Sequence, residues 1–178
     1  MSSPCDPQHA PVGDVSGALM MIDSQLKAVY DGKTRPDAEQ RELVHQFAAS
    51  LGPEGIDDLL DGACTLVYMY MQWLRRAYES HDKDVIEYVV PSLVGSMRAM
   101  TRSIRPEAVP TMAGLLVAAG SGLSPSLWRR QYGDWTPHEM TSLEATVFLL
   151  ADHVNRLTED RDFATRLVSD ALAKAEAP

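Results

Sequence analysis

Glu42 and His45 stand three residues apart, the spacing at which a carboxylate and an imidazole on one helix converge on a metal ion. Di-metal carboxylate bundles use that pair twice, on two different helices, and this sequence holds a single copy. At about 100° per residue, both side chains also lie roughly 140–160° from the apolar stripe of Leu43, Phe47 and Leu51. A metal ligand in a bundle has to face inward, so the pair reads as a solvated polar face. His81, Asp82 and Asp84 read as a turn with an acidic helix cap, and Lys83 among them adds a charge that opposes a cation. Asp57, Asp58 and Asp61 fall at the start of a helix, where the backbone dipole favours carboxylates. Cys64 has only apolar neighbours and no nearby histidine, which suits a small core residue better than a nucleophile. There is no Gly-rich phosphate loop, nucleophile elbow, Cys-x-x-Cys pair or His-Glu-x-x-His motif. No catalytic residue, metal or cofactor is expected.

Two groups of side chains have the chemistry of recognition. Tyr68, Tyr70, Met71 and Trp73 crowd one helix, where aromatic rings and a thioether can line an apolar ligand pocket or fill a core. Core filling is the favoured reading. Trp128, Arg129, Arg130, Tyr132 and Trp135 concentrate the residue types that dominate protein interfaces. The favoured reading puts both tryptophans in the corner between two helices and pairs the arginines with carboxylates. Phe148 and Leu149 lie roughly 120–140° from the apolar seam of their own helix, which suggests a second contact surface. A covering helix of the same chain would account for them equally well.

The elements that position these residues are all helices. Apolar positions recur at helical spacing from Val15 onward, and no convincing period-two strand occurs. Val15, Leu19, Ile22, Leu26 and Val29 mark a first helix ended by Asp31-Gly32. Asp37 with Gln40 suggests a capping box for a second, carrying Leu43, Val44, Phe47 and Leu51. Gly52-Pro53 is expected to break the chain and open a third, about Pro53–Glu79. Its stretch from Gly62 to Leu74 carries no charge and is apolar all the way round, the mark of a helix enclosed by others. Pro91 should kink the following stripe of Ile86, Val90, Leu93, Met97, Met100 and Ile104. The uncharged run Ala108–Trp128 reads as a buried, broken helix. Thr136-Pro137-His138-Glu139 combines an N-cap threonine, a first-turn proline and a glutamate at the third position. It opens a helix with Met140, Leu143, Val147, Leu150, Val154 and Leu157 as its seam, and a last helix runs from Phe163 to about Ala175.

The expected fold is therefore all-α: a single-domain bundle of seven or eight helices around the central helix, over residues 14–176 behind a disordered tail of residues 1–13. At 178 residues such a domain buries roughly 70% of its unfolded surface and needs no disulfide or metal. A net charge of −9 opposes nucleic acid and anionic membranes. Ala48 to Gly52 loosely fits the turn of a helix-turn-helix, but the recognition helix would carry Asp57, Asp58 and Asp61 against phosphate. Two cysteines, Cys5 and Cys64, with no secretory leader imply a cytoplasmic protein. The favoured function is a non-catalytic module that binds a protein partner or itself, a homodimer included. The alternative is a sensor or carrier of a small apolar ligand, which should show a cavity of roughly 300 Å³ or more among the aromatics. An enzyme comes third.

Overall fold

The computed structural model describes residues 12–32 and 38–177, with the side chains of residues 12, 40, 41, 43–45 and 47–54 outside the description. Among the described residues every regular element is helical. The order is α1 (Val12–Tyr30), α2 (Ala38–Glu79), α3 (Val85–Tyr88), α4 (Val90–Ala99), a 3₁₀ turn (Pro106–Ala108), α5 (Val109–Gly120), α6 (Pro125–Arg130), α7 (Pro137–Thr158) and α8 (Phe163–Glu176). The C-terminal part of α2 is the axis. Cys64, Leu66, Val67, Tyr70, Met71 and Leu74 have no solvent exposure, because α1, α5, α7 and α8 pack around them. Positions this close in sequence point in every direction around a helix, so only a helix with neighbours on all sides can bury them all.

Two glycines set how closely the helices approach. A Cβ on Gly62 of α2 would lie 2.3 Å from the Asp14 carbonyl oxygen, so the missing side chain is what lets α1 seat against α2. A Cβ on Gly114 of α5 would lie 2.3 Å from the indole of Trp128, which lets α6 lie flat on α5. The caps follow the sequence closely. Glu139 N–H donates to Thr136 Oγ1 at 3.2 Å while Thr136 N–H donates to Glu139 Oε1 at 3.1 Å, a complete capping box at the start of α7. Ser124 caps α6 by accepting from Leu127 N–H at 3.1 Å.

Several boundaries differ from the sequence reading. α2 is one helix from Ala38, so Gly52-Pro53 lies inside it and does not open a new one. Pro91 does not kink a continuous helix. The chain breaks at Val89, and Pro91 takes the first turn of α4, where a missing N–H leaves no bond unmade. α1 starts at Val12, ahead of the expected 14, and the tail before it, with Cys5, lies outside the described residues. So do the Asp37–Gln40 cap, the side chains of Leu43, Val44, Phe47 and Leu51, and His45. Glu42 is exposed and accepts from Gln46 one turn on at 3.1 Å. Val29 and Leu157, expected in apolar stripes, are exposed in the last turns of α1 and α7. No helix among the described residues is long and apolar enough to cross a membrane.

Candidate functional site

The aromatic and methionine residues of α2 are distributed among different neighbours. Tyr70 is fully buried, its hydroxyl donates to the Ala164 carbonyl of α8 at 3.4 Å, and burial holds the phenol far above its ordinary pKa. Trp73 is half-buried against Phe163 of α8, with ring centroids 5.1 Å apart and planes tilted by 58°. Met71 packs in the opposite sense, its Cε near Gly120 of α5. Tyr68 is half-buried. Tyr70 and Trp73 face α8 while Met71 faces α5, so these three point to different neighbours.

The Trp128–Trp135 segment is built around Arg129. This side chain is only 3% exposed, and its guanidinium forms a two-pronged ion pair with Glu139, Nη2 to Oε1 at 2.7 Å and Nε to Oε2 at 3.0 Å. Nη1 donates to the Gly133 carbonyl at 2.9 Å and Nη2 to the Asp134 carbonyl at 3.0 Å. The guanidinium also lies 4.9 Å from the centroid of the Trp135 ring. Burial alone would raise the Glu139 carboxyl. The bonds from Arg129 and from the Thr136 amide and hydroxyl outweigh it and hold the group below the usual carboxylate range. Glu139 thus caps α7 and anchors the loop after α6 with one carboxylate. Arg130, the next residue, points outward and pairs with Asp61 of α2, which also accepts from Ser126 Oγ at 2.5 Å. Both arginines are engaged within the chain.

Beside the exposed Arg130 and Gln131, several apolar side chains also reach the surface of this corner. Tyr132 is 66% exposed, with its ring edge against the half-buried Trp128. Leu123, just before α6, and Leu127 within it are 58% and 48% exposed. Val117 of α5 is exposed too, and the Leu123 amide bonds the Ala118 carbonyl beside it. The sequence reading placed Ala108–Trp128 inside as a buried broken helix. That holds for Met112, Leu115, Leu116 and Ala119, and fails for Val117, Leu123 and Leu127. For Leu127 the missed signal was the shortness of α6, whose six residues present one face to α5 and leave the other outward. Phe148 and Leu149 are half-buried and packed against the core.

Among the described residues no three His, Cys, Asp or Glu side chains cluster closely enough to hold a metal ion. Comparison with protein-family models, with curated proteins and with solved structures finds no match to this chain.

Proposed function

We propose that the protein is a non-catalytic helical interaction module that pairs with a second copy of itself through the α5–α6 corner. The observation that carries this reading is the row of exposed apolar side chains, Val117, Leu123, Leu127 and Tyr132, mounted on a rigid base. Scattered exposed leucines are ordinary, but apolar side chains gathered on one corner form the kind of patch that marks a contact. The Arg129–Glu139 pair and the Arg130–Asp61 pair hold that base in place, so the patch is ordered before anything binds it. Charge supports a second copy as the occupant. The chain carries −9 overall, yet no aspartate or glutamate occurs between Glu107 and Asp134. Two acidic copies can meet there with little repulsion, and a two-fold axis lets one apolar patch serve both sides. The acidic surface and the buried thiol of Cys64 suit a cytoplasmic setting.

Light scattering on the full chain and on a Leu123→Ser/Leu127→Ser variant tests the proposal, with circular dichroism to follow folding. The expected result is a wild-type dimer and a folded monomeric variant. A wild-type monomer at all concentrations, or a dimer indifferent to the two substitutions, refutes it.

A further inference from the structure

On another side of the molecule, α1, α2 and α7 leave an apolar cleft of about 190 Å³. Met21 and Ile22 line it from α1, Leu59 and Ala63 from α2, and Met140 and Glu144 from α7. Glu144 is the anomaly. A carboxyl among aliphatic side chains loses hydration that a leucine would not need, and here burial raises its pKa although Gln25 Nε2 donates to Oε1. Among the described residues, no lysine or arginine lines the cleft. An ionisable group displaced in this way inside an apolar recess is more characteristic of a binding site than of a core.

Several carboxylates stand nearby. Asp14 lies one turn before Ala18 on α1, and Asp58 and Asp61 flank Leu59 and Leu60 on α2. Burial raises the Asp14 carboxyl, and repulsion from Asp58 and Asp61 raises it further, although Arg130 offsets part of the charge on Asp61. An ammonium group entering the cleft would find acceptors and, among the described lining residues, no competing cation. It would offset the hydration that burial removes from the Glu144 carboxylate, through a charge-assisted hydrogen bond. The volume sets the size of the rest of the ligand, since a dry cavity of roughly 150 Å³ accommodates benzene. Met21 and Met140 supply unbranched side chains that adjust to an irregular occupant.

We propose that this cleft binds a compact apolar amine, with its ammonium group on the Glu144 carboxylate and its hydrocarbon body between α1, α2 and α7. The site is separate from the α5–α6 corner and stands or falls independently of self-association.

Calorimetric titration of the full chain with benzylamine and with benzyl alcohol, a neutral molecule of nearly the same shape, tests the proposal. Benzylamine should bind about tenfold or more tightly than the alcohol, a difference of about 1.4 kcal/mol. In the Glu144→Gln variant that preference should vanish while alcohol binding persists. Methyl NMR of the methionines should show shifts concentrated at Met21 and Met140. Equal binding of the two probes, an amine preference that survives Glu144→Gln, shifts at other methionines, or no binding to the wild type would each overturn it.

Discussion

Arg129→Met removes one partner from a buried, two-pronged ion pair and leaves a flexible apolar chain of similar length in its place. The methionine can fill the space beside Trp135, so the loss is mainly electrostatic. Glu139 keeps its bonds from Thr136 but loses both guanidinium bonds, at 2.7 and 3.0 Å, and the Gly133 and Asp134 carbonyls lose their donors. Breaking a buried pair from one side costs about 3–5 kcal/mol. Gly133 and Asp134 are exposed and can turn to water, which puts the expected cost near the lower end, about 3 kcal/mol. For a chain of this size that lowers the melting temperature by about 6–12 °C. The pH dependence separates charge from packing. The folded-state pKa of Glu139 is depressed, so its contribution is fully present above the unfolded value of 4.5 and is lost as pH falls through the folded value. Urea midpoints measured by tryptophan fluorescence and circular dichroism should therefore differ widely between wild type and Arg129→Met at neutral pH and converge in acid. Equal midpoints at neutral pH would refute the buried pair. A gap that stays constant into acid would show that packing, and not charge, holds the corner.

Two further outcomes follow from close approach and from the displaced carboxyl. Gly62→Ala and Gly114→Ala should each destabilise by about 1–3 kcal/mol, with Gly62→Ala the worse because its new methyl meets the Asp14 backbone and not a side chain that can swing away. Gly95→Ala, at an exposed helical position with nothing within 4 Å, should instead stabilise by about 0.5–1 kcal/mol; denaturant midpoints of the three variants check the reversal of sign. Glu144→Gln should raise stability at neutral pH and change it little in acid. The folded-state pKa of Glu144 is raised, so the benefit of its protonated form is complete below the unfolded value of 4.5 and is lost as pH rises through the folded value. Thermal melts of both proteins across that range measure it.

Where a feature is local, the sequence alone determines it. The capping box of Thr136 and Glu139 closes within four residues, and its two bonds could be read directly from the residue types. The central place of α2 follows from apolarity on all its sides between Gly62 and Leu74, since no other arrangement keeps those side chains from water. Relations across long stretches of chain were decided by tertiary structure. Arg129 and Arg130 are adjacent and chemically identical, yet one is 3% exposed on Glu139 and the other reaches Asp61, 69 residues away. Which of them faces inward depends on how α6 lies on α5, and that rests on the indole of Trp128 seated against Gly114. The same docking leaves Leu127 outward, although its residue type belongs to a core. Glu144 lies one residue beyond the apolar seam of α7, and only the placement of α1 and α2 opens a recess beside it. Helical periodicity records which face of a segment avoids water, but it carries no information about which partner covers that face or where the cover ends. Those are decided when the helices pack.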